Sequence, residues 1–138
     1  MIERDETNRI VFHHSLASTS SSAEIKSWHL ERGFDDIGYH FVIRKNGSVE
    51  PGRNIRSIGA HAAGRNRDSI GVCFEGDFRR ESPTEFQYDS ALGVYHGLCR
   101  LYNKNLCVEF HRDLFDNPCP GELFDRGKLL TYLKRGEV

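Results

Sequence analysis

The chain has 138 residues, of which 38% are apolar and 28% charged, and its formal net charge is −1. That length supports one domain with a single substantial core, and the balance excludes a disordered chain. The near-neutral charge gives no bulk reason to bind nucleic acid or an anionic membrane, and no apolar run approaches the roughly 20 residues of a membrane-spanning helix. Met1-Ile2-Glu3-Arg4-Asp5-Glu6 is charged and lacks the apolar stretch of a secretory signal, which predicts a protein made and kept in the cytoplasm until something releases it. In that reducing setting Cys73, Cys99, Cys107 and Cys119, which form no CxxC pair, are expected as core residues or metal ligands and not as disulfides.

Residues 9–14 form a short β-prone run that ends in His13 and His14. A polar loop, 15–22, follows. Ser21 and Glu24 have capping-box spacing and predict a helix over 22–33, stopped by Gly33, with Ile25, Trp28, His29 and Arg32 on one face. Residues 39–44 alternate like a strand, and Asn46-Gly47 supplies a hairpin turn into a second strand at 49–51. The stretch 52–68, rich in Gly, Arg and Asn, reads as an irregular surface loop. Residues 69–74 are nearly continuous in apolar character, as in a strand covered on both faces.

Ser82-Pro83-Thr84-Glu85 predicts a helix start, with Ser82 as N-cap, Pro83 at the first helical position and Glu85 three after the cap. Tyr88, Ala91, Leu92, Tyr95, Leu98, Cys99 and Tyr102 then make a helical stripe over four turns. A last strand is expected at 106–110, a loop at 111–121 and a final helix from about Glu122. The order β-α-β-β-β-α-β-α predicts a single α/β domain: a mixed central β-sheet flanked by about three helices. Cys73, Cys99 and Cys107 lie on apolar strand or helix faces and are expected in the core.

Two places carry candidate chemistry. His13 and His14 stand at a strand end, and His111 and Cys119 lie after the last strand. Neutral imidazole and thiolate are standard zinc ligands, and a catalytic zinc takes three protein ligands plus water. Strand ends and the loops after them let a rigid scaffold aim ligands at one point. Two histidines and a cysteine so placed can make a His₂Cys site.

Several segments, taken in order, resemble a known family: Val11-Phe12-His13-His14-Ser15; Trp28-His29 with Gly33-Phe34; Asp36-Ile37-Gly38-Tyr39-His40-Phe41 with Asn46-Gly47; Gly52-Arg53; Gly59-Ala60-His61-Ala62. Gly64-x-Asn66, Ser69-Ile70-Gly71-Val72, Gly76, and His111 with Cys119-Pro120 complete the series, which runs from about residue 10 to residue 121. The pattern is similar to the type-2 N-acetylmuramoyl-L-alanine amidases, a group that includes phage amidase lysozymes and peptidoglycan recognition proteins.

The resemblance implies a Zn²⁺ ion held by His13, His111 and Cys119, with His14 turned to the other face of its strand. It implies that Tyr39 stands beside the metal as a donor to water or to the developing oxyanion. Where phage relatives often carry Lys and others Thr, this chain has Asn117, which can polarise a carbonyl but holds no transferable proton. Glu75, at a strand end where some relatives place a catalytic Glu, is the candidate proton shuttle. His61, Arg65 and Asn66 sit in the loop that contacts glycan and stem peptide in similar proteins.

The implied reaction is hydrolysis of the amide between N-acetylmuramic acid and L-alanine, with peptidoglycan as partner and the enzyme acting as a monomer. The implied role is that of a phage or prophage endolysin that reaches the wall through a membrane pore. The alternatives are a cytoplasmic muropeptide-recycling amidase, or a non-lytic module that binds peptidoglycan or regulates a polymerase.

Overall fold

The computed structural model describes residues 2–114 and 118–135. Its elements are β1 (Arg9–His14), α1 (Ser22–Glu31), β2 (Phe41–Ile43), β3 (Val49–Pro51), a 3₁₀ turn (Asn66–Asp68), β4 (Ser69–Phe74), α2 (Glu85–Tyr102), β5 (Cys107–Phe110), the short α3 (His111–Leu114) and α4 (Arg126–Arg135). They form the α/β domain that the sequence predicts.

The sheet has the order β3-β2-β4-β1-β5. β2, β4, β1 and β5 run parallel, and β3 joins β2 antiparallel through the Asn46-Gly47 turn, where Gly47 takes the positive φ of +91° that a tight turn asks of glycine. Only three residues long, β3 forms one margin of the sheet, with Pro51 opposite Phe41.

Strand alternation sends successive side chains to opposite faces. On one face, Ile10 and Phe12 of β1 and Ile70, Val72 and Phe74 of β4 pack under Tyr88, Ala91, Tyr95 and Leu98 of α2 and Leu129 and Leu133 of α4. Phe12, Phe74, Phe78, Tyr88, Phe110 and Phe124 form one network of ring contacts there. On the opposite face Cys73 joins Val42, Ile37 and Ile25 of α1 in a smaller cluster, with Tyr39 against it. All six residues of β4 are buried, as a strand covered on both sides must be.

α1 begins at the expected capping box of Ser21 and Glu24, and Gly33 follows its end at φ +90°. α2 does not start at Ser82. Its N-cap is Thr84, in a capping box with Gln87. Tertiary bonds decide this: the Gln87 amide donates to the carbonyls of Ile43 and Glu75, 3.0 Å each, and Thr84 Oγ1 donates to the Lys45 carbonyl at 2.6 Å. α4 starts at Arg126, four residues later than expected, and His111 opens a short helix where a loop was predicted. Cys73 is fully buried, Cys99 half-buried and Cys107 exposed, so the core expectation fails for Cys107, which lies at the other sheet margin.

Candidate metal centre

In a mostly parallel sheet the carboxyl ends of neighbouring strands face one crevice. β1 and β5 are neighbours, so His13, near the end of β1, and His111, directly after β5, are delivered to the same place. Their ring centroids lie 4.7 Å apart. β5 stops at Phe110 opposite Phe12, which leaves the His14 amide without a strand partner on that side; it donates to Cys119 Sγ at 3.4 Å.

The segment carrying Cys119 is fixed from both directions. The Arg112 amide donates to the Cys119 carbonyl at 2.7 Å, and the Leu123 amide to the Phe78 carbonyl at 2.7 Å. Gly121 lies so close to Phe78 that a Cβ there would meet its backbone carbonyl carbon at 2.6 Å. One ligand atom each from His13, His111 and Cys119 fall within 4.8 Å of one another. Cys119 Sγ is 3.9 Å from His13 Nδ1. Tetrahedral zinc holds such donors about 3.5 Å apart, so the arrangement fits one ion after a small contraction.

The electrostatics agree. Burial, then the neighbouring imidazoles of His61, His111 and His14, holds His13 well below the ordinary histidine pKa, in the neutral form a metal requires. Burial also pushes the Cys119 thiol up to about 12. A cation is what would turn this apolar, uncharged cluster into a thiolate site. His14 points away, as expected: its Nδ1 accepts from the Phe78 amide at 3.1 Å and its ring stacks on Phe78.

The ligand group opens into a cleft of about 420 Å³ lined by His13, His29, Phe34, Tyr39, His61 and His111, among others. The Tyr39 ring lies 5.0 Å from the His13 ring. Burial, with the thiols of Cys73 and Cys119 adding to it, raises the Tyr39 phenol well above its usual range, so it remains an O–H donor. The sequence places His29 on a helix face and in the Trp28-His29 segment of the resemblance, without marking it as a site residue. Its Nδ1 accepts from the Gly38 amide at 2.9 Å, which fixes the ring in the cleft wall beside Phe34 and Tyr39. Apart from that matching segment, a helix-face histidine gives no signal of a cleft role in sequence.

The three loop residues divide. His61 lines the cleft, with Nδ1 2.9 Å from His13 Nε2. Asn66 lines the cleft while its Oδ1 accepts from the amides of His61 and Ala62, at 3.0 and 2.9 Å. Arg65 is exposed and is not part of the cleft lining. Glu75 is also absent from that lining. Its carboxylate accepts from the Ser20 amide at 2.6 Å and the Lys45 amide at 2.8 Å, and pairs with Arg44 Nε at 3.1 Å. Burial would raise its pKa, but Arg44 and the two amides outweigh burial and hold it below the usual carboxylate range. Asn117 lies outside the described residues.

Comparison with known proteins agrees with this geometry. Residues 3–122 match the family model described as N-acetylmuramoyl-L-alanine amidase. The endolysin of Enterobacteria phage K11 is 36% identical, with 99% of this chain and 91% of that protein covered. Peptidoglycan-recognition protein LB of Drosophila melanogaster is 35% identical over 81% of this chain and 53% of its own length. Among solved structures, the endolysin amidase LysCS from Clostridium intestinale URNW superposes with a TM-score of 0.88 at 33% identity, covering 94% of this chain and 84% of that one. The ectodomain complex of peptidoglycan recognition proteins LCa and LCx gives 0.83 at 31% identity, covering 90% and 82%. The chain therefore belongs to the N-acetylmuramoyl-L-alanine amidase family, as an enzyme of the phage endolysin type.

Proposed function

We propose that this enzyme is a zinc-dependent endolysin that cuts the amide between the lactyl group of N-acetylmuramic acid and L-alanine in the intact cell wall. The observation that carries the reading is the convergence of His13, His111 and Cys119, the two histidines of which line the cleft. When bound, zinc supplies a Lewis acid for the scissile carbonyl and an activated water. Every relative described above is an endolysin or a peptidoglycan recognition protein, and the LCa–LCx complex binds tracheal cytotoxin, which supports a peptidoglycan fragment as the cleft's occupant.

The protein's own groups do the rest. Tyr39, neutral and fixed against His13, donates to the oxygen that gains charge as the carbonyl carbon turns tetrahedral. One such donor is typically worth about 3 kcal/mol. Asn66 is the loop residue that lines the cleft, which supports its meeting the substrate; Arg65, exposed beside it, is not in that lining. Glu75 acts as a brace: two backbone amides and the Arg44 ion pair occupy its carboxylate, and its lowered pKa makes it a poor base.

The test is to incubate the enzyme with purified sacculi and, in parallel, with soluble anhydro-muropeptides, and to measure new N-terminal alanine. We expect release from sacculi, loss with a chelator and recovery with added zinc. Cleavage of soluble fragments alone would remove the lytic role, and undiminished activity in chelator would remove the metal.

A further inference from the structure

We propose that His61 is a positioning residue for the metal, a half-buried hydrogen-bond acceptor at the cleft that sets the tautomer and orientation of His13. This rests on the metal reading above. A ligand histidine has one ring nitrogen for the metal and one for a partner that aims it, usually a carboxylate, a backbone carbonyl or water. Here the two His13 nitrogens are divided clearly: Nδ1 faces Cys119 Sγ at 3.9 Å and Nε2 meets His61 Nδ1 at 2.9 Å. With Nδ1 given to the ion, a neutral His13 must carry its proton on Nε2. His61 Nδ1 must then be the bare acceptor, and the His61 proton must lie on Nε2. That nitrogen has its own partner, Ser69 Oγ, at 3.1 Å. One metal bond thus dictates proton placement through three residues.

The slot that receives His61 is built for it. Strand alternation puts Ser69, Gly71 and Cys73 of β4 on the site face. A Cβ on Gly71 would fall 2.6 Å from His61 Cγ, and one on Gly59 would fall 2.7 Å from His61 Cδ2. Two glycines therefore leave the ring its place, one beneath and one at the loop's entry. The loop itself is pinned by Asn66, whose Oδ1 takes the amides of both His61 and Ala62. The neighbouring His40 is fixed likewise, with Nδ1 accepting from the Gly71 amide at 3.0 Å and Nε2 donating to the Ser57 carbonyl at 2.8 Å.

The experiment compares zinc affinity, by chelator competition, in wild type, His61→Leu and His61→Asn, with melting of each metal-free protein as a check on folding. Leu fills the slot without an acceptor; Asn keeps an oxygen near the Nδ1 position. We expect His61→Leu to bind zinc about 10- to 100-fold more weakly, and His61→Asn to recover most of that loss. Nitrogen-15 NMR of the wild-type histidine rings supplies a readout that no variant can spoil. In the zinc-loaded protein His13 and His61 should both carry their proton on Nε2. A His61→Leu protein that folds and holds zinc as tightly as wild type would overturn the inference, as would a wild-type His61 protonated on Nδ1. If wild type takes up no zinc, the metal reading itself fails and this inference with it. A tight wild-type site unmoved by His61→Leu removes only the inference.

Discussion

The same two strands present different chemistry to the two sides of the sheet. Toward α2 and α4, β1 and β4 offer Ile10, Phe12, Ile70, Val72 and Phe74, large and interlocked with other aromatic rings. Toward the cleft the alternate positions of β4 are Ser69, Gly71 and Cys73, and β1 contributes His13. The bulky face supplies most of the hydrophobic burial, and hence the rigidity on which the other depends. The small face gives up that burial to make room for imidazoles. Functional sites need not be weakly held; here the groups that react lie one residue away from the groups that stabilise.

Variants on the two faces should therefore fail in different ways. Cys119→Ala is expected to have the largest effect: activity on sacculi falls to background and bound zinc disappears, while the metal-free protein melts close to wild type. Zinc content measured alongside alanine release checks it. Phe74→Ala, on the packed face, should cost about 3–5 kcal/mol of folding stability, read from the denaturant midpoint. Surviving folded molecules should still bind zinc with wild-type affinity.

A shift in pH probes the small face. His40 is buried and its pKa is held down to about 4 from an ordinary 6.5, by desolvation first and the charges of Arg4 and Arg53 after it. Between those values the unfolded chain binds a proton that the folded one refuses. Stability therefore falls as pH drops from 6.5 toward 4, by up to about 3 kcal/mol from this residue, and the residue adds no pH dependence above 6.5. Unfolding curves across that window should be steeper in pH for wild type than for His40→Asn. The smallest effect is expected for Glu75→Gln, at about 2 kcal/mol of stability from weakened bonds to Arg44, Ser20 and Lys45. Its kcat on sacculi should stay near wild type; a hundredfold fall would restore Glu75 as the proton shuttle.

How much of this the sequence carries depends on the kind of contact. Residues 69–74 were legible because burial on both faces leaves a continuous apolar run. The ligand set was legible only through family resemblance: His13 and Cys119 are 106 positions apart, and no local spacing joins them. Thr84 and Ser82 offer the same hydroxyl, and only the bonds from Gln87 to Ile43 and Glu75 choose between them. The slot that holds the His61 ring leaves no mark in the sequence, because a loop histidine looks alike whether it faces solvent or a neighbouring side chain. The glycine that makes the slot, Gly71, sits on a different element. The proton-shuttle reading of Glu75 comes from the resemblance, and its backbone partners, Ser20 and Lys45, carry no side-chain signature at all.

The margin formed by β3 has a consequence for crowded solutions. An exposed strand edge is a template on which a second chain can add, which is how many sheet proteins begin to aggregate. Here that template is three residues long, Pro51 has no amide hydrogen to offer, and Glu50 puts a charge in the middle, paired with Arg44. The edge is blunted by composition, so a protein stockpiled at high concentration has little here to nucleate on.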